Sequence, residues 1–203
     1  MSIEEQPFQR LHDAPHIITR DHALTVDECR HIIALAQPRM EQARVSADKA
    51  GIISQGRSGS NCWLKHNTDA VVEAVCQRIS GWAGLPLSAA ESLQVIHYDE
   101  GQEYAPHYDG WDATTERGRR CLQKGQRVLT ALCYLNRVEA GGGTVFPKLG
   151  LEVEAQPGRL VLFANVIDNS LQRHPDSLHG GLPVLKGEKW ACNLWFRVPC
   201  PLD

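Results

Sequence analysis

The sequence predicts a mainly β fold, an antiparallel β-sandwich or jelly roll, with helices on one outer face. The N-terminal part contains two segments whose apolar residues recur with helical spacing. From Glu91 onward the chain consists of short segments rich in β-branched and aromatic residues, separated by turns such as Gly141–Gly143 and Pro157–Gly158. Helices followed by antiparallel strands are typical of a sheet fold covered on one side by helices.

The first helix is marked by a start signal and a stop signal. Residues 1–21 have no clear period, and we expect them to form an irregular lead with at most one short strand. Thr25 and Glu28 form a capping box at the start of the helix, and Pro38 ends it. Its apolar stripe consists of Val26, Cys29, Ile32, Ile33 and Ala36.

The second helix follows a mixed polar segment. Residues 43–57 are expected to form strands or a loop, and the helix is expected to start near Asn67 or Thr68. Gly81 and Gly84 are expected to end it, because glycine favours the backbone conformation found at helix ends. Its apolar stripe consists of Val71, Val72, Val75, Ile79 and Trp82.

The β region contains at least five predicted strands, and the last of them is the most informative. The strands are Leu93–Tyr98, Val128–Leu135, Glu152–Ala155, Arg159–Ala164 and Trp190–Val198. Alternate residues of a strand face opposite sides of a sheet. One face of the last strand holds Trp190, Cys192, Leu194, Phe196 and Val198, and the other holds Lys189, Ala191, Asn193, Trp195 and Arg197. In a jelly roll the second face lines the interior, so Lys189 would be a buried cation that requires an anion from the protein or a ligand.

Length and composition indicate one ordinary globular domain. The 203 residues suit a single domain over 1–203, with a helical support at about 22–90 and a β core at about 91–198. A net charge of -3 gives no reason to expect nucleic acid or a membrane as a partner. The acidic start does not resemble a signal peptide, so we expect a cytoplasmic location, and we expect the seven cysteines to be free thiols.

A candidate metal site begins at His107 and Asp109. Two residues apart on a strand, their side chains would point to the same side. A third ligand, His179, and a basic helper, Lys189, would come from later strands. Two histidines and one carboxylate leave coordination positions open, which suits non-haem Fe(II) and O2 chemistry. A His-x-Asp pair that binds nothing is the commoner outcome for this pattern alone.

The segment 110–126, directly after the His-x-Asp pair, interrupts the strand pattern. It has no apolar period and is rich in basic residues. A loop of this length inside a compact domain is often functional, so we interpret it as a mobile lid, with a disordered surface excursion as the alternative. The basic residues are Arg117, Arg119, Arg120 and Lys124, with Arg127 just beyond.

Three separated motifs, in the same order, resemble those of the prolyl 4-hydroxylase-type 2-oxoglutarate/Fe(II) dioxygenases. Leu93–Asp109 is similar to their Tyr-x-x-Gly-x-x-Tyr-x-x-His-x-Asp signature, and Gly142–Pro147 to their Gly-Gly-x-Thr-x-Phe-Pro. Ser177–Arg197 is similar to their C-terminal motif over its whole length. Arg57–Leu64 resembles their Arg-x-Ser stretch more weakly, because Gly59 stands where serine is usual. The resemblance covers roughly residues 15 to 198.

The resemblance implies a double-stranded β-helix and the cofactors of this family. Iron would be held by His107, Asp109 and His179. The co-substrate 2-oxoglutarate would chelate the iron, with its far carboxylate bound by Lys189, Thr144 and Tyr98. The family uses O2, converts 2-oxoglutarate to succinate and CO2, and oxidises a substrate, with ascorbate as a candidate reductant. The carboxylate ligand Asp109 favours hydroxylation over halogenation, since related halogenases lack it.

The resemblance also implies a substrate, a proline within a peptide or protein. By motif position, Tyr104, Arg127 and Trp195 would contact it near the iron. The loops 43–57 and 110–126 would select the substrate, and their sequences contain no pattern that indicates which one. A free amino acid or another small molecule therefore stays open as an alternative substrate. Two further alternatives are a sensor that binds 2-oxoglutarate or metal without turnover, and a Zn or Mn cupin that would not need Lys189. The sequence does not predict an oligomeric state.

Overall fold

Strands dominate the chain, and most of them fall in its second half. A computed structural model describes residues 7–42 and 58–200. Within these residues the helices are α1 (Val26–Ala36), α2 (Ala70–Ala83) and α3 (Glu116–Leu122). The strands are β1 (Gln9–His12), β2 (Ile17–Arg20), β3 (Glu41–Gln42), β4 (Ser60–Leu64), β5 (Leu93–Tyr98), β6 (Tyr104–His107), β7 (Gln126–Tyr134), β8 (Ala140–Gly141), β9 (Thr144–Phe146), β10 (Leu151–Val153), β11 (Leu160–Ala164), β12 (His179–Gly181), β13 (Val184–Lys186) and β14 (Lys189–Val198).

Two antiparallel sheets form the body of the fold. The larger has the strand order β1-β2-β11-β7-β14-β5-β4-β3, and the smaller has the order β10-β9-β12-β6. Strands β8 and β13 form a separate short pair. Neighbouring strands are mostly distant in sequence, as in a jelly roll. The predicted fold class, a jelly roll with flanking helices, is confirmed.

The alternation along β14 divides the interior into two apolar layers. Trp190, Cys192, Leu194 and Phe196 pack with α1 and α2 on the outer face of the large sheet. Ala191 faces the other way, into a second apolar layer with residues of the small sheet such as Phe146. The predicted two-faced character of this strand is therefore correct, and the helices lie on one sheet as expected.

The helix starts depend on capping side chains. Thr25 accepts a hydrogen bond from the Glu28 backbone, and the Glu28 side chain accepts one from the Thr25 backbone, which confirms the capping box. The second helix starts later than predicted, because the Asp69 side chain accepts hydrogen bonds from the first turn and makes Asp69 the N-cap. Gly81 lies inside this helix, and Gly84, with a φ of 65°, ends it.

Other expectations about the N-terminal part need correction. The lead contains two strands: β1 pairs with β2, and β2 pairs with β11, so both extend the large sheet. Each of these strands has only 4 residues, which is too few for a period to be visible in the sequence. The segment 43–57 lies outside the described residues.

The segment 110–126 contains a helix that the sequence interpretation missed. The Thr115 side chain caps α3 by accepting a hydrogen bond from the Gly118 backbone. The alternative of a disordered excursion is therefore wrong for this segment, and closure as a lid stays a prediction. The seven cysteines are free thiols, as expected. No helix in the described part of the chain is long and apolar enough to cross a membrane.

Candidate active site

The small sheet brings two distant histidines face to face. His107 ends β6, His179 begins β12, and the two residues are direct cross-strand partners. Their ring centroids are 4.5 Å apart. One antiparallel pairing thus brings together two histidines that lie 72 positions apart in sequence, as expected for the predicted third ligand.

Both histidines are oriented by a backbone carbonyl. His107 Nδ1 lies 3.0 Å from the Ala105 carbonyl oxygen, and His179 Nδ1 lies 3.0 Å from the Ser177 carbonyl oxygen. A carbonyl only accepts, so Nδ1 carries a proton in each ring, and Nε2 is the nitrogen that can bind an ion. This arrangement is the usual second support of a metal-binding histidine.

Asp109 completes the group from just beyond the strand. Strand β6 ends at His107, so the expectation that both residues lie on a strand is wrong for Asp109. Its orientation comes from two hydrogen bonds to Oδ2, donated by Thr130 Oγ1 and Trp195 Nε1, each 2.8 Å long. Burial opposes ionisation, but the nearby His179, His107 and Arg127 lower the pKa of Asp109 to about 2, so it is a carboxylate at neutral pH.

These three side chains form a compact ligand set. Asp109 Oδ1 is 3.7 Å from His107 Nε2, and Oδ2 is 3.5 Å from His179 Nε2. All three ligand atoms lie within 4.8 Å of one another, close enough for a single ion to bind all of them. Two imidazole nitrogens and one carboxylate on one side of an ion fit Fe(II) with open positions opposite.

Lys189 lies in the same cavity with no anion of its own. It begins β14, pairs with Tyr98 at the end of β5, and is only 3% exposed. Among the described residues no carboxylate lies within 4.0 Å of its ammonium. The ammonium lies 5.8 Å from the centre of the Tyr98 ring and 5.3 Å from that of the Tyr134 ring. Burial lowers the pKa of Lys189 to about 8. A buried cation of this kind fits a carboxylate supplied by a ligand.

The surroundings of Lys189 suit a short dicarboxylic acid. Thr144 is 2% exposed, and its hydroxyl lies 2.7 Å from the Tyr134 hydroxyl. Apolar side chains also line this cavity: Ile96, Leu132 and Phe163. The combination of a cation, hydroxyls and an apolar wall fits the far carboxylate and methylene groups of 2-oxoglutarate.

The three residues predicted to contact substrate all line the same cavity, which has a volume of about 640 Å³. The Tyr104 ring stacks on the His107 ring at 3.7 Å between centroids. The Arg127 guanidinium lies 3.9 Å above the Trp195 ring and makes two hydrogen bonds to the Glu91 carboxylate. Arg127 is therefore fixed by Glu91, which also accepts a hydrogen bond from Arg197.

Several residues of the cavity were not singled out from the sequence. Trp63, which is 48% exposed, and Trp111 contribute aromatic surface, while Gln94 and Asn193 contribute amides. Strand alternation placed Asn193 on the interior face. Trp111 lies in the irregular start of the segment 110–126, where no period could have indicated its position.

The fold and this ligand set define the class of non-haem iron oxygenases that use 2-oxoglutarate. Residues 93–197 match the 2OG-Fe(II) oxygenase superfamily. Prolyl 4-hydroxylase 5 of Arabidopsis thaliana is 38% identical over an alignment 208 residues long. The alignment covers 91% of this chain and 69% of that protein. Probable prolyl 4-hydroxylase 10 of the same plant is 37% identical over 198 residues, covering 86% of this chain and 66% of that protein.

A solved structure agrees with these relatives. The viral collagen prolyl hydroxylase of Paramecium Bursaria Chlorella virus-1, in its 2OG complex, superposes with a TM-score of 0.72 at 26% identity. The alignment covers 90% of this chain and 96% of that chain. The chain belongs to the prolyl 4-hydroxylase group of the 2OG-Fe(II) oxygenase superfamily, and it spans about two thirds of the length of the two plant relatives. Its cofactors are Fe(II), 2-oxoglutarate and O2.

Proposed function

We propose that this protein hydroxylates a proline residue within a peptide or protein, with conversion of 2-oxoglutarate and O2 to succinate and CO2. The observation that carries the proposal is that a complete His-Asp-His ligand set and a buried lysine without an anion line one cavity. The plant and viral relatives support proline as the target, since each is a prolyl hydroxylase by name.

His107, Asp109 and His179 would hold the iron, which supplies O2 activation and removal of a substrate hydrogen when it is bound. The protein's part is to fix the ligands. The two backbone carbonyls orient the imidazoles, and Thr130 and Trp195 orient the carboxylate. This preorganisation lowers the cost of placing three ligands at one point.

Lys189 would bind the far carboxylate of 2-oxoglutarate, with Thr144 and Tyr98 beside it. A flexible stem with a compact ammonium suits a carboxylate at the closed end of a pocket. Lys189 is only 3% exposed, and low exposure to water strengthens an ion pair. The cavity therefore provides one end for the co-substrate and leaves its open end for the peptide.

The aromatic wall would position the proline ring. Tyr104 stacks on His107 and Trp195 is held by its hydrogen bond to Asp109, so both rings are fixed next to the ligand set. Arg127 would offer the remaining hydrogen-bonding capacity of its guanidinium to a peptide carbonyl. Ascorbate as reductant and a cytoplasmic location stay predictions.

The test is hydroxylation of a peptide panel under controlled oxygen. The protein is loaded anaerobically with Fe(II) and 2-oxoglutarate, and O2 is then added with proline peptides, matched alanine peptides and free proline. We expect a gain of about 16 Da, one oxygen atom, in the proline peptides alone, with an equal amount of succinate. Hydroxylation of free proline alone would indicate a small-molecule enzyme, and iron binding without succinate would indicate a sensor. Unchanged turnover in His179→Ala would contradict the ligand assignment.

A further inference from the structure

We infer that one face of α3 makes the enzyme selective for peptides that carry an acidic side chain close to the target proline. The inference deepens the proposed function and rests on it. The responsible residues are Arg117 and Lys124, which we call the basic face.

The basic face is built by helical spacing. Arg117, Arg120, Cys121 and Lys124 lie at positions i, i+3, i+4 and i+7 of α3 and the turn after it, and all four line the cavity. Residues with this spacing share one side of a helix. Arg119, which belongs to the opposite side, does not line the cavity and instead donates to the Ala113 and Thr114 carbonyls. Arg117, Arg120 and Lys124 thus lie on the side of the helix that faces the cavity.

More cationic than anionic side chains line the cavity. Glu91 pairs with both Arg127 and Arg197, so its single negative charge offsets only one of the two, and Asp109 is a metal-ligand candidate. Lys189 is deep in the cavity, where the proposed co-substrate lies. In the described part of the chain, neither Arg117 nor Lys124 has an ion-pair partner within 4.0 Å. The whole chain has a net charge of -3, so this positive rim is a local feature and not a consequence of a basic protein.

A stack of alternating rings and guanidinium groups connects the basic face to the ligand set. Trp195 donates to Asp109, Arg127 lies 3.9 Å above Trp195 and 5.2 Å from Trp111, and Arg117 lies 5.4 Å from Trp111. Cation–π contacts of this kind hold a guanidinium over a ring while its edges stay available for hydrogen bonds. Arg117 is thus connected to the ligand set through Trp111, Arg127 and Trp195.

The ligand chemistry that matches this rim is a carboxylate on an extended peptide. Exposed Lys124 and partly exposed Arg117 remain accessible from solvent, so a flanking Asp or Glu can pair with them without being buried. Such rim pairs contribute more to selection and capture than to total affinity. A basic flanking residue would be repelled by the same groups.

The experiment measures peptide binding and turnover separately. Labelled peptides with one proline in an uncharged host carry Glu, Gln or Lys at each of the three positions on either side. Binding to the Fe(II)- and 2-oxoglutarate-loaded protein is measured by fluorescence anisotropy without O2, and hydroxylation is then measured after O2 is added. We expect at least one Glu peptide to bind about five- to tenfold more tightly than its Gln partner at low salt, and the Lys peptide to bind more weakly than both.

Charge-removal variants assign the preference to the basic face. In the double variant Arg117→Gln/Lys124→Gln the preference for Glu should disappear, while Arg117→Lys should retain most of it. The matched control is Arg137→Gln/Lys65→Gln, which removes the same charge from two exposed residues away from the cavity. The preference should also shrink at high ionic strength, since these groups are near water.

The outcomes separate this inference from the proposed function. Equal binding of Glu and Gln peptides at every position, or a preference that survives the double variant, would overturn the inference. Selective binding of Glu peptides without any hydroxylation after O2 is added would support the inference and contradict the proposed function. Hydroxylation of all peptides without selection would do the reverse.

Discussion

Lys189 places a positive charge where the protein alone provides no anion. Its pKa is lowered from 10.5 to about 8 by burial, which corresponds to on the order of 3 kcal/mol of cost to the charged form in the folded protein. In the unfolded chain the same amine is protonated up to about pH 10.5. Between these values the unfolded state binds more protons, so the free energy of unfolding rises with pH, and the penalty is complete below about pH 8.

Replacing Lys189 with Met should separate stability from function. Without ligand, the variant should be at least as stable as the wild type at pH 7, because an uncompensated buried cation is removed, and the difference should vanish near pH 10.5. Its affinity for 2-oxoglutarate should fall about a hundredfold or more. Chemical denaturation against pH and calorimetric titration of 2-oxoglutarate measure the two effects. A large loss of stability at pH 7 with unchanged 2-oxoglutarate affinity would show that the lysine is structural.

Trp195 is a positioning residue for the carboxylate as well as part of the cavity wall. Trp195→Phe keeps the aromatic ring but removes the hydrogen bond to Asp109 Oδ2, leaving Thr130 as the remaining donor to that atom. We expect the affinity for Fe(II) to fall about tenfold, in the range found for outer partners of metal ligands. Anaerobic metal titration measures it. Trp63→Phe is the matched control, because Trp63 lines the same cavity and has no hydrogen bond to Asp109; an equal loss in both variants would refute the positioning role.

The short helix α3 depends on one glycine for its position. A Cβ on Gly118 would lie 1.7 Å from the Asp112 backbone carbonyl oxygen, so the helix could not pack against that loop. Asp112 in turn pairs with Arg173 at 2.8 Å, which connects the loop to the segment before β12. The position of the basic face is therefore set by backbone contact and not by apolar packing.

Gly118→Ala should impair use of the peptide without affecting the co-substrate. We expect kcat/KM for the peptide to fall at least about tenfold, because a misplaced element of the wall weakens substrate positioning, while KM for 2-oxoglutarate stays unchanged. Gly81→Ala is the control, since a Cβ there meets nothing within 4 Å inside α2. It should raise the free energy of unfolding by about 0.5–1 kcal/mol and leave both kinetic parameters unchanged. Normal peptide kinetics in Gly118→Ala would show that α3 is not part of the working site.

Across the whole molecule, the features that could be predicted from the sequence are those that depend on residues only a few positions apart. The capping box at Thr25 and the two faces of β14 depend on neighbours within a few positions, so their periods are visible in the chain. The ligand set could be predicted because the motifs that contain it resemble those of a known family. Spacing alone left open whether His107 and Asp109 bind anything.

What could not be predicted depends on pairing across long distances. The strands β1 and β2 are too short to show a period, and they join the large sheet through the pairing of β2 with β11. Arg127 was assigned to the substrate, but its hydrogen bonds to Glu91 join residues 36 positions apart. Such contacts leave no trace in local composition, because either partner alone is an ordinary charged residue.

The metal-binding side chains and Lys189 lie on different sheets, and this arrangement predicts that Fe(II) and 2-oxoglutarate stabilise the whole fold in a coupled way. The candidate metal ligands come from the small sheet and the segment after it, whereas Lys189 belongs to the large sheet. A co-substrate that contacts both the metal and Lys189 would join the two sheets through the cavity. Fe(II) and 2-oxoglutarate should therefore bind cooperatively, and each should increase the affinity for the other by the same factor.

Thermal unfolding without O2 tests this coupling. At ligand concentrations near 100 times Kd, binding adds about 2.7 kcal/mol to the free energy of unfolding, which for a chain of this size raises Tm by about 5–10 °C. We expect the joint rise with both ligands to exceed the sum of the separate rises. In His179→Ala both the metal effect and the coupling should be lost, whereas Lys189→Met should retain the metal effect alone. Strictly additive shifts in the wild type would mean that the two ligands do not meet in the cavity, because a co-substrate bound to the metal must favour the metal-bound state.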